Sequence, residues 1–161
     1  MHNWVIAVRP PLGLTLRRIV ALALLHTCTI AAPASAQSAP LFQADGDGIT
    51  QPLAASGDAT RGRALLIARD PANCILCHGL TGAAIRFAGN LAPPLDGTGS
   101  RLTPAQLRLR IADSSRVNPA TIMPAYYKID GLTAVAAQYA GKTILTAQQV
   151  EDLVVYLSSL K

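Results

Sequence analysis

The chain has 161 residues, and its 14 Lys and Arg against nine Asp and Glu give a formal charge of +5. Three of the basic residues, Arg9, Arg17 and Arg18, come before any acidic residue occurs. The remaining surplus is too small for a phosphate-reading surface, which excludes nucleic-acid binding, and the length suits one domain.

Those arginines precede an apolar run over 19–32, followed by the stretch "PASAQ". This is the three-part layout of a secretory signal peptide over 1–36. Ala34, Ser35 and Ala36 form the A-x-A site, and cleavage after Ala36 would deliver the protein to the periplasm. An uncleaved anchor is the competing reading, but fourteen apolar residues fall short of the roughly twenty that span a bilayer. Cys28 in "LHTC" follows Thr27, where a lipoprotein signal wants a very small residue. Processing leaves 125 residues with 11 basic and nine acidic side chains. It also leaves one histidine, His78, one thioether, Met123, and two thiols, Cys74 and Cys77.

Residues 37–56, "QSAPLFQADGDGITQPLAAS", are rich in Gly, Pro, Ser and Asp and lack a helical period. They read as an extended N-terminal arm before a domain over 57–161. "GDATRGRALLIA", 57–68, predicts a first helix with Asp58 as N-cap and Ala64, Leu65 and Ala68 along one face. The motif "NCILCHG" follows beside Pro71, and "GNLAPPLDGTGS", 89–100, reads as a loop. "TPAQLRLRIADS" restarts a helix: Thr103 caps, Pro104 takes the first helical position and Gln106 completes a capping box. Leu107 and Ile111 share a face of it. "PATIMPAYY" brackets Met123 with Pro119 and Pro124, which remove two backbone donors and resist helix, so a fixed loop is expected. "TAQQVEDLVVYLSSLK" repeats the capped start with Thr146 and Gln149, and Val150, Leu153, Val154, Leu157 and Leu160 follow at helical spacing.

The spacing Cys74-x-x-Cys77-His78 admits three uses. A structural zinc site closes with four Cys or His ligands, and the processed chain has three, all in one turn. A redox dithiol expects a βαβ setting, whereas these flanks are Ala-rich and helical with Pro and Gly loops. A covalently attached haem c needs two thiols for its two vinyl groups and a histidine immediately after to reach the iron, which is C-x-x-C-H. Iron held so commonly takes Met or a second His on its other face. No second His survives processing, which leaves Met123 as sixth ligand beside His78, or as ordinary core filling. Two phenylalanines and four tyrosines are thin bulk for such a core. A haem would fill the deficit, and so would a tightly packed Ala-rich bundle.

A first helix, CxxCH, a Pro-rich loop, a capped helix, a Met loop and a terminal helix together resemble a monohaem class I cytochrome c. The resemblance implies an all-α fold with one haem c. It implies further that, within "APPLDGTGSR", the Pro93 carbonyl accepts a hydrogen bond from the His78 ring. Ala92 departs from that family's usual Gly. Arg101 is either a partner of a haem propionate or an exposed residue at the start of a helix.

More narrowly, "GDATRGRALL", "CILCHG", "GNLAPPLDGTGSRLTPAQLRLRI", "NPATIMPAYY" and "GKTILTAQQVEDLVVYL", across 57–160, resemble the SoxX family, the small cytochrome subunits of SoxAX sulfur-oxidation complexes. That resemblance implies a SoxA-type cytochrome subunit as partner. It also implies a thiosulfate-carrier protein reached through the complex and a small downstream cytochrome c that takes the electrons. In such an L-cysteine S-thiosulfotransferase this chain is the electron-accepting subunit and is not catalytic alone. The other class of function is a free periplasmic shuttle, which docks through a charged ring and leaves quickly.

Overall fold

A computed structural model describes residues 40–81, 85 and 87–161. The signal peptide expected over 1–36 and the start of the arm lie outside the described residues. Helix α1 is Ala59–Ile67, capped by Asp58, whose carboxylate accepts from the Arg61 amide at 2.8 Å. A short α2, Thr98–Arg101, follows the Pro-rich loop. Helices α3, Pro104–Asp113, and α4, Ala147–Ser159, both begin with the complete capping boxes expected at Thr103/Gln106 and Thr146/Gln149. The described residues carry isolated bridges outside any strand, so the fold is all-α.

Helices α1, α2 and α3 all pack on α4. Leu107 and Ile111 of α3 meet Val150, Leu153, Val154 and Leu157 of α4 in the main core, as their spacing predicts. Two sequence readings need correction. The buried face of α1 is Gly62 and Leu66, while Ala64 is exposed, Leu65 only half-buried and Ala68 already the C-cap. The cause is close helix approach: a Cβ on Gly62 would run into the Asp152 carbonyl of α4, so the glycine sets which stripe faces inward. Secondly, the expected loop over 89–100 ends early, because Thr98 turns into α2 and is buried, donating its hydroxyl to the Leu157 carbonyl at 3.1 Å.

Charged groups on the inner faces of α3 and α4 tie the helices to their neighbours. Asp152 binds Arg61 at 2.7 Å and the Asp58 amide at 2.8 Å, joining α1 to α4. The Arg61 bonds hold the Asp152 carboxyl below the usual carboxylate range. Arg108 and Glu151 form a buried bidentate pair at 2.7 and 2.9 Å. The same two side chains reach the arm: Arg108 donates to the Ile49 carbonyl at 2.6 Å, and Glu151 accepts from the Leu53 amide at 2.8 Å. Residues 40–56 are therefore irregular in backbone, as predicted, but their second half is laid onto the helices. Ile49, 1% exposed, packs with Leu109 and Ala112 in a second small core.

Candidate haem site

The CxxCH segment is a single tight turn. Asn73 stands in the left-handed region at φ 49, and Cys74–Leu76 makes one 3-10 turn closed by the bonds Leu76 N to Asn73 O, Cys77 N to Cys74 O and His78 N to Cys74 O. The Pro-rich loop runs alongside it. Gly89 donates to Ile75 at 2.8 Å, Ala92 to Cys77 at 2.9 Å and Leu95 to Gly79 at 2.9 Å, which pairs His78 with Ala92 in a parallel bridge. The His78 Nδ1 lies 2.7 Å from the Pro93 carbonyl. A neutral ring that donates from Nδ1 there keeps the Nε2 lone pair for a metal. Asp96 receives the Thr81 amide at 3.0 Å and its hydroxyl, and these bonds hold the Asp96 carboxyl below its usual range. Arg101 is exposed and donates to the Asp96 carbonyl at 2.7 Å and the Pro94 carbonyl at 3.3 Å, stiffening the loop that presents Pro93.

Opposite the helix frame, residues 114–128 leave the end of α3 and return to it. Tyr126 and Tyr127 donate their amides to Ile111 and Ala112 at 3.2 and 3.1 Å, and Lys128 reaches the buried Asp113 carboxylate at 2.7 Å. Inside the excursion the Asn118 side chain accepts from the Ala120 amide and the Thr121 hydroxyl from the Met123 amide at 3.1 Å. Met123 is half-buried against the main core. Tyr126 is buried, with its hydroxyl donated to the Ala72 carbonyl at 3.0 Å just ahead of the cysteines. Burial raises the Tyr126 phenol above its usual pKa.

Between these two segments lies a mainly apolar cavity of about 670 Å³, and Cys74, Cys77, His78, Pro93, Arg101 and Met123 all line it. Its size is in the range of cofactor sites. The two thiols are free, and burial pushes Cys74 up to about 11, so it is a neutral thiol rather than a nucleophilic or metal-ready thiolate. Among the described residues no three His, Cys, Asp or Glu side chains gather as a cation site. Two free thiols at C-x-x-C spacing, an imidazole turned by its Nδ1 contact, and a thioether on one apolar cavity make a donor set that fits a covalently attached haem.

The sequence reasoning missed the charges that hold this site: Arg108, Glu151, Asp152, Asp113 and Lys128. Their signal was present in α4, where Glu151 and Asp152 interrupt an otherwise apolar stripe between Val150 and Leu153. Nothing local in the sequence pairs Asp113 with Lys128 across fifteen positions.

Comparison with known proteins agrees with this geometry. The cytochrome c family pattern matches residues 59–161. A chain in the crystal structure of SoxXA from P. pantotrophus matches with a TM-score of 0.69 and 35% identity, over 74% of this chain and 94% of that one. No curated protein sequence matches. With the family pattern spanning the whole helical domain, and the SoxXA likeness extending over nearly all of that chain, this chain belongs to the cytochrome c family of electron-transfer proteins and, within it, to the SoxX group.

Proposed function

We propose that this chain is the electron-accepting subunit of a periplasmic complex that oxidatively couples thiosulfate to a cysteine of a carrier protein. The observation that carries the reading is the single cavity bringing Cys74, Cys77, His78 and Met123 together in a chain 35% identical to one from SoxXA. Cys74 and Cys77 would hold one haem through thioether bonds, and His78 Nε2 and the Met123 sulfur would bind its iron. The bound haem supplies a one-electron acceptor and donor. The chain does the rest. The Pro93 carbonyl fixes the His78 ring, as partners of metal-bound histidines do. Arg101 spends two N–H groups on the Pro94 and Asp96 carbonyls and keeps others for a propionate. The apolar lining and the Met123 loop exclude water.

Catalysis is assigned to a partner because this chain has nothing left to perform it. After processing, both cysteines are consumed and no second histidine remains as a base. A SoxA-type subunit fits the surface. Leu76, Phe87, Leu91 and Ile122 are each at least 66% exposed, Leu76 lies between the two cysteines, and Leu91 and Ile122 line the cavity. Exposed apolar groups of this size suit a lasting interface better than a rapidly exchanging charged one. Downstream, a small cytochrome c takes the electrons.

The purified chain is expected not to turn over thiosulfate alone, and its haem to become reduced once a SoxA-type partner and the carrier protein are added. Turnover by the isolated chain would overturn the assignment. Fast reduction by unrelated donors without a stable SoxA-type complex would establish the shuttle instead. Intact mass from a periplasmic extract checks export: it should start at Gln37 and carry one haem increment.

A further inference from the structure

We infer that Asp113 and Lys128 are positioning residues that clasp the Met123 loop shut and so set how firmly Met123 holds the iron; this rests on Met123 being the sixth ligand. Residues 113–128 form a closed excursion whose ends meet, in the manner of an Ω-loop. Its outer part cannot hold it in place, because residues 115–120 are all exposed. Its inner bonds, Asn118 to Ala120 and Thr121 to Met123, shape the loop without tying it to the frame. Anchoring falls to Tyr126 and to the base of the loop. At that base, two backbone bonds from Tyr126 and Tyr127 to the last turn of α3 are flanked by one side-chain contact, Lys128 Nζ to Asp113 Oδ2 at 2.7 Å.

Asp113 is 2% exposed and divides its carboxylate oxygens between the two ends of the loop, Ser115 at the outgoing end and Lys128 at the returning end. A buried carboxylate needs such partners, and removing one leaves an uncompensated charge that draws water into the base of the loop. The backbone bonds beside it lie at 3.1 and 3.2 Å and are the next to open. An opened base frees Met123 to leave the cavity wall. The His78 turn, by contrast, is closed by its own backbone, and the Asp96 carboxylate bonded to Thr81 only adds to that closure.

The test uses the ferric haem-loaded protein, titrated with imidazole, which competes with Met123 for the iron. Asp113→Asn and Lys128→Met should bind imidazole about tenfold more tightly than wild type, because the open population rises by that factor. The weak long-wavelength sulfur-to-iron band should fade in parallel, and Lys128→Arg should restore both. Ser115→Ala, at an exposed position, serves should Asp113→Asn fail to fold, and should show the same direction with a smaller change. Lowered thermal stability with wild-type imidazole affinity and an intact band would reduce Asp113 and Lys128 to structural residues and overturn the inference. Absence of the band in wild type, with imidazole affinity unaltered by Met123→Ala, would overturn the Met123 assignment and this inference together.

Discussion

His78 and Met123 reach the same cavity from walls of different construction. The His78 wall is a backbone lattice, in which a 3-10 turn, three bonds from the Pro-rich loop and the Pro93 carbonyl fix the ring within a stretch of some twenty residues. The Met123 wall is an exposed loop closed at its base on α3 by two backbone bonds and one ion pair, with the Leu145 amide bonded to the Tyr126 carbonyl at 2.9 Å on the returning side. A ligand delivered by backbone is fixed when the chain folds. One delivered by a clasped loop can be exchanged without unfolding the rest, which under the proposed ligation suits covalent attachment on one side and adjustable coordination on the other.

The largest expected effect comes from removing attachment altogether. Cys74→Ala with Cys77→Ala should leave no haem bound after denaturation, read by mass. Without its haem the mainly apolar cavity of about 670 Å³ leaves its lining without packing partners, a loss that weighs heavily against the about 5–15 kcal/mol that usually stabilises a domain. The haem-free variant should therefore lose its fixed packing, seen as lost near-ultraviolet dichroism with much of its far-ultraviolet signal retained.

Next in size is a direct break in the His78 wall. A Cβ on Gly89 would run into the Leu76 carbonyl, so Gly89→Ala should separate the Pro-rich loop from the CxxCH turn and cost about 2–4 kcal/mol. Denaturant midpoints of the loaded protein check this, and a cost below about 0.5 kcal/mol would show that the lattice yields easily.

Breaking the other wall at its tip should be milder. Met123→Ala is expected to leave haem attached and the fold intact. It should lower the reduction potential, since a thioether favours ferrous iron more than water does, and it should abolish the sulfur-to-iron band. Identical spectra and potentials would mean that another group holds the sixth position.

How far the two walls could be read in advance follows the same division. CxxCH, the capping boxes at Thr103 and Thr146 and the apolar stripe of α4 are local patterns, and the capped helices took their expected form because the bonds involved span three or four residues. Met123 could be singled out only by elimination, as the one thioether downstream of the expected signal peptide. What closes its loop, Asp113 with Lys128, depends on where α3 ends relative to a chain returning fifteen residues later, and no periodicity encodes that. The face of α1 was misjudged for a related reason. Apolar side chains suggested Ala64 and Leu65, but the close approach to α4 is made through Gly62, a residue that hydrophobicity does not mark.

The smallest expected effect is acid sensitivity, and it separates the walls by burial. Each has a carboxylate held below its usual range. Asp96, on the His78 side, is held by Thr81. Asp113, on the Met123 side, is pushed up by burial but pulled down further by Lys128 and Ser115. A depressed native pKa means that the unfolded chain binds more protons. The stabilisation is therefore full above the unfolded value near about 4 and is lost as pH falls through the lower native value. Asp96 is the more exposed of the two and hydrogen-bonds neutral donors, whereas Asp113 is buried against an ammonium group, so its protonation breaks an ion pair that solvent screens poorly. Between pH 5 and pH 2 the denaturant midpoint of wild type should fall. Asp113→Asn, which has no proton to gain there, should flatten that limb more than Asp96→Asn does. Equal flattening by the two would mean that the Met123 wall depends on its charge pair no more than the His78 wall depends on a half-buried carboxylate.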